Sequence, residues 1–132
     1  MTPEKGDASS SPGWVLIVDD DDHIRETLSE LVEMAGCRAR GATNGAEALE
    51  ILAGGLPCLI ILDLLMPVMS GQELVEAMRR VPAFAAVPIV ISTSAPDRAP
   101  AGLPVIPKPI DIDRVLDWLK RACRCSALSK PR

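Results

Sequence analysis

From Trp14 onward the chain alternates short runs that suit strands with stretches of helical period. Strands are predicted at Val15–Val18, Arg38–Ala42, Leu59–Leu62, Ile89–Ser92 and Val105–Ile106. The first, third and fourth are nearly continuous apolar runs, the pattern of parallel strands buried on both faces. Between them, Ile24, Leu28, Leu31 and Ala35 fall on one helical face, and Gly36 supplies a left-handed stop. A second helix is predicted over Ala46–Ala53, ending at Gly54 and Gly55. A third, over Gln72–Val81, turns Leu74, Val75 and Met78 inward and stops before Pro82. Asp111 or its neighbour can cap a last helix, whose buried stripe is Ile112, Val115, Leu116 and Leu119.

Strand and helix in strict alternation predict an α/β fold with a parallel sheet and right-handed crossovers. One connection breaks the rule. Ser94 to Pro104, "SAPDRAPAGLP", holds three prolines and a glycine and has no helical period, so at most a single turn is expected there. The polar, Ser/Pro/Gly-rich residues 1–13 read as a disordered tail, residues 14–122 as one domain, and 123–132 as a short C-terminal tail.

Composition narrows the class. With 48% hydrophobic and 24% charged residues the chain has the profile of a soluble globular domain. A net charge of −4 disfavours a non-specific grip on nucleic acid or anionic membrane. No apolar run reaches the roughly 18 residues of a membrane span, and no signal pattern opens the chain, which leaves a cytoplasmic expectation. In that setting Cys37, Cys58, Cys123 and Cys125 read as free thiols; the C-x-C pair lacks the companions of a metal site. His23 is the one histidine, which excludes chemistry by paired histidines.

The chemistry collects where the strands end, the edge at which open parallel sheets bind ligands. Strand one runs into Asp19 and Asp20, strand three into Asp63, and strand four into Thr93; Lys108 follows strand five. Two carboxylates 4 Å apart repel by about 4 kcal/mol at an effective dielectric near 20, so gathering three calls for a cation. Mg²⁺, a hard ion that accepts a few carboxylates together with phosphate oxygens, suits such a set. A carboxylate nucleophile, a metal, a lysine and a hydroxyl donor are the parts needed to accept a phosphoryl group. Asp21 and Asp22 read differently, one as a helix cap and both as charges favouring a helix N-terminus.

"VLIVDDDDHIR", "LIILDLLMPVMSG", "PIVISTS" and "PKP" together resemble the successive signatures of the response regulator receiver domain of two-component systems, over residues 14 to about 122. The resemblance implies a doubly wound, flavodoxin-like fold of five parallel strands in the order 2-1-3-4-5, which the chemotaxis receiver exemplifies. It implies that Asp63 is the phosphoacceptor, and that Asp20 and Asp63 bind Mg²⁺ with the main-chain carbonyl of Leu65. Asp19 would help mainly through water. Thr93 and Lys108 would hold the phosphoryl group, and the Lys108–Pro109 bond would be cis. The implied partners are a histidine kinase or phosphotransfer protein and an unidentified downstream protein. With no output or DNA-binding domain in sight, the chain resembles a stand-alone, monomeric receiver that turns over no separate substrate.

Two departures stand out. The fourth crossover is short enough that the family's fourth helix is expected to be lost or reduced to a turn. The position three before Lys108, aromatic in receivers with a threonine–aromatic switch, is Val105. Three other readings compete: a phosphorylation-independent binding module of receiver form, an aspartate-nucleophile phosphatase and a flavin module. The complete acidic, threonine and lysine set speaks against the first. The second would want an Asp where Leu65 stands, and the third a phosphate loop after strand one.

Overall fold

The computed structural model describes residues 13–123. Most of the predicted tails, Cys125 included, therefore lie outside the described residues. Five parallel strands, β1 (Trp14–Val18), β2 (Arg38–Ala42), β3 (Leu59–Leu62), β4 (Ile89–Thr93) and β5 (Val105–Pro107), pair in the order β2-β1-β3-β4-β5. The predicted fold class is the observed one.

The apolar runs are nearly continuous because successive residues point into two different cores. Val15, Ile17, Leu59, Ile61, Val90 and Ile106 face one layer, where they meet α1 (Asp22–Met34) and α5 (Ile112–Ala122) through Leu28, Val32, Val115 and Leu119. Leu16, Val18, Ile60, Leu62 and Ile91 face the other. There they meet α2 (Gly45–Ala53) and α3 (Gly71–Arg79) through Leu52, Leu74, Val75 and Met78. Each of these helices opens on a side-chain cap: Asp21, Asn44, Ser70 in a capping box with Glu73, and Asp111.

Two differences from the sequence reading, at Pro82 and at Ile112, have local causes. Pro82 stops α3 but is itself well placed as a first helical residue, so the chain restarts as a short α4 (Pro82–Ala85). The β4–β5 crossover keeps a single 3₁₀ turn, Pro96–Arg98, as its prolines foretell. Ile112, assigned to the buried stripe of α5, is 53% exposed: it opens the helix at the edge of the sheet, before the axis brings Val115 and Leu119 over the core.

The three cysteines among the described residues are not free thiols. Cys58 and Cys123 form a disulfide with their Cα atoms 5.3 Å apart, and Cys37 is disulfide-bonded as well. The topology explains the first pairing. Helix α5 runs back against the strands, so its last turn arrives at the edge where β3 begins. A separation of 65 residues in sequence conceals this contact. Cys123, read as the start of a tail, is buried and bonded.

Candidate functional site

The strand register brings the polar ends together. Val18 pairs with Ala42 and Leu62, and Leu62 with Ile91, so β1 and β3 stop side by side. The next residues are fixed by the sheet itself: the Asp19 amide donates to Ala42 O (3.1 Å) and the Asp63 amide to Val18 O (2.9 Å). At the far side the Lys108 amide donates to Thr93 O (2.9 Å), which anchors the lysine to the end of β4. The Lys108–Pro109 bond is cis.

Asp19 (2% exposed), Asp63 (6%) and the exposed Asp20 bring carboxylate oxygens within 4.8 Å of one another. Lys108 Nζ reaches 3.0 Å from Asp19 Oδ2 and 3.5 Å from Asp63 Oδ1. Asp63 is held above the usual carboxylate range by its burial and by the charge of Asp19; Lys108 and the Leu65 amide oppose this without cancelling it. Burial would depress Lys108, but its hydrogen bond to Asp19 and the charges of Asp19 and Asp63 outweigh that and hold it above its ordinary value. The pocket is thus short of positive charge. Its donors are all hard carboxylate oxygens, one of them open to solvent, and they fit a hard divalent ion such as Mg²⁺.

The surroundings brace Asp63. A side chain at Gly71 would collide with the Asp63 carbonyl and the Leu64 Cα, so α3 packs directly under the end of β3 only because position 71 has none. Thr93 Oγ1 accepts a hydrogen bond from the Ala95 amide (3.0 Å), while the neighbouring Ser92 hydroxyl is buried with no partner, on the opposite face of β4. Asp21 caps α1, and Asp22 lies in its exposed first turn, as the sequence indicates. His23 is exposed.

Sequence reasoning missed Arg25. Its guanidinium donates to the Asp19 carbonyl (2.8 Å) and pairs with Asp22. The available signal was an arginine one turn into the helix that leaves an acidic run.

Comparison with known proteins bears on this geometry. The response regulator receiver domain family model matches residues 15–120. A response regulator receiver protein of Anaeromyxobacter sp. is 36% identical over 107 residues, covering 77% of this chain and 45% of that protein. The DNA-binding transcriptional regulator NtrC of Escherichia coli K12 is 33% identical over 117 residues, 83% of this chain and 24% of the regulator. The chain thus spans less than half the length of these relatives. Among solved structures, the chemotaxis response regulator CheY4 of Vibrio cholerae superposes with a TM-score of 0.77 at 30% identity, over 85% of this chain and 99% of that one. A CheY-like receiver domain from Methylobacillus flagellatus gives 0.75 at 29% identity, over 85% and 99%.

Proposed function

The chain belongs to the response regulator receiver domain family of two-component systems, and from that premise we propose that residues 14–122 form a receiver taking a phosphoryl group on Asp63 in a Mg²⁺-dependent reaction. The observation that carries this reading is the convergence of Asp19, Asp20, Asp63 and Lys108 on one sheet edge, with Asp63 nearly buried between a carboxylate and an ammonium.

In this reading an Asp63 carboxylate oxygen attacks the phosphorus of a phosphohistidine on the donor protein. The new P–O bond replaces the P–N bond, and the departing imidazole takes up a proton. Asp20, Asp63 and the Leu65 carbonyl would hold Mg²⁺, with Asp19 helping mainly through water, and the ion would neutralise charge on the transferring oxygens. Lys108 brings a compact cation to the same oxygens, held in place by its main-chain bond to Thr93. The Thr93 hydroxyl donates to one phosphoryl oxygen. Leu65, two residues after the acceptor, offers no polar group to position attacking water, which favours a slow loss of phosphate.

The donor is a histidine kinase or phosphotransfer protein, and the signal passes on by protein–protein contact. A cytoplasmic setting belongs to this proposal, although the Cys58–Cys123 disulfide pulls against a strongly reducing compartment. Among the described residues no helix is long and apolar enough to cross a membrane.

A second reading, a receiver-form binding module that signals without phosphate, draws support from Val105 in the place of the switch aromatic and from the single 3₁₀ turn in the fourth crossover. Intact mass after incubation with Mg²⁺ and a small phosphodonor separates the two. One added phosphoryl group is expected in the wild type and none in Asp63→Asn. No addition to the wild type favours the binding module, and addition to the variant contradicts the assignment of Asp63.

A further inference from the structure

Arg25 lies in the first turn of α1, six residues after Asp19, with its side chain only 20% exposed. Its Nη1 donates to the main-chain carbonyl of Asp19 and its Nη2 to the carboxylate of Asp22, so one planar fork ties both ends of the acidic turn. The stem is seated on Gly41 of the edge strand β2. A Cβ built there would come 3.0 Å from Arg25 Cδ and 3.3 Å from its Cγ and Nε. The missing side chain at position 41 is therefore the space Arg25 occupies.

The choice of atoms matters. Among the described residues the one ion pair of Arg25 is with Asp22; it takes no carboxylate oxygen of Asp19, Asp20 or Asp63. Lys108, by contrast, engages both Asp19 and Asp63. Asp19 is thus held through every polar atom: its amide by Ala42, its carbonyl by Arg25, and its carboxylate by the Asp21 amide and Lys108. Asp20, the next residue, makes no such bond among the described residues and projects to solvent from a braced backbone.

We propose that Arg25 is a positioning residue for the acidic pocket: seated on Gly41 and bonded to the Asp19 carbonyl and Asp22, it fixes the Asp19–Asp22 turn so that Asp20 is presented to a divalent cation. The inference rests on the Mg²⁺ site of the proposed function. It carries a distinctive sign. A cation beside a metal pocket opposes a second cation by simple charge, so deleting Arg25 should tighten Mg²⁺ binding if charge alone matters. If Arg25 positions the turn, deleting it weakens binding.

The test is calorimetric titration of Mg²⁺ into the full chain, with no phosphodonor present, for the wild type, Arg25→Met, Arg25→Lys and Gly41→Val. Arg25→Met keeps the apolar stem and removes the donors; Gly41→Val displaces the guanidinium without replacing any residue of the acidic turn. Both should raise the Mg²⁺ Kd about three- to tenfold, the net scale of one ordinary hydrogen bond. Arg25→Lys, which keeps one donor and the charge, should fall between them and the wild type. An unchanged or lowered Kd in Arg25→Met overturns the proposal, as does an unchanged Kd in Gly41→Val. If the wild type binds no Mg²⁺, the metal reading falls and this inference with it; wild-type binding matched by the variants removes the inference alone.

Discussion

The Ala95 amide donates to Thr93 Oγ1 at 3.0 Å, so the hydroxyl at the end of β4 also holds the second residue of the β4–β5 crossover. A threonine that turns to donate to a phosphoryl oxygen must strain or release that contact. The rest of the crossover has one 3₁₀ turn, a bond from Gln72 Nε2 to the Arg98 carbonyl (2.7 Å), and Ala99 and Leu103 packed against the core. With Val105 in place of an aromatic ring, this loop is the natural reporter of phosphorylation. Amide hydrogen exchange over residues 95–104 should change on adding Mg²⁺ with beryllium fluoride as a phosphoryl mimic. The change should vanish in Thr93→Ala; equal protection with and without the mimic would show that the signal leaves by another route.

The adjacent hydroxyl should behave in the opposite sense. Ser92 Oγ is buried with no hydrogen-bond partner and lies on the face of β4 away from Thr93. A buried, unsatisfied hydroxyl costs on the order of 1 kcal/mol. Ser92→Ala should therefore stabilise the fold by up to about 1 kcal/mol in urea unfolding and leave phosphoryl acceptance intact. A destabilised Ser92→Ala would mean that the hydroxyl has a partner, such as a bound water.

Asp63 links the site to stability through pH. Its folded pKa lies above the ordinary carboxylate value of 3.8, chiefly through burial and then through Asp19. The folded state therefore binds this proton more readily than the unfolded chain. Its contribution is fully favourable below 3.8 and is lost as pH rises through the folded pKa, leaving an ionised, destabilising Asp63 at neutral pH. In the absence of Mg²⁺, Asp63→Asn should melt above the wild type at pH 7, and the gap should close as pH falls towards 4. Mg²⁺ should raise the wild-type midpoint more than that of the variant. A gap that is constant with pH would place the effect in packing instead.

The strands and the polar set at their ends were legible in the sequence because both depend on local pattern: apolar runs for doubly buried strands, and polar residues where those runs stop. Asp19, Asp63, Thr93 and Lys108 could be placed on one edge before any coordinates. What escaped depends on contacts distant in sequence or on fine differences of angle. Cys58 and Cys123 meet because α5 doubles back along the sheet, which spacing does not reveal. Ile112 has the right period but sits at the rim of the layer. Arg25 touches a main-chain carbonyl, and a carbonyl has no letter in the sequence.

The disulfide makes its own demand. Cross-linking residues 65 apart restricts the unfolded chain, and loops of such size stabilise by about 2–4 kcal/mol. Cys58→Ser should lower unfolding stability by that order while leaving phosphoryl acceptance at the far edge of the sheet in place. Trapping thiols by alkylation at lysis should find Cys58 and Cys123 joined in the native host. Free thiols at both positions would instead support the reducing cytoplasmic setting read from the sequence.

A groove between α1 and α5, about 460 Å³ in volume, is lined by Leu28, Leu31, Met34, Ile110, Ile112 and Leu116. It begins beside the site, since α1 follows the acidic turn and Ile110 comes two residues after Lys108. Ile112 is half exposed at its rim, so a donor protein that docks on this groove while bringing a phosphohistidine to Asp63 would cover it. Ile112→Glu tests this cleanly. An acidic residue is favoured in the first turn of a helix, so the fold is kept while the apolar contact is lost. Transfer from a cognate phosphotransfer protein should slow by about tenfold, the equivalent of roughly 1.4 kcal/mol, with transfer from a small phosphodonor unchanged. Equal slowing with both donors would move the effect from docking to the pocket itself.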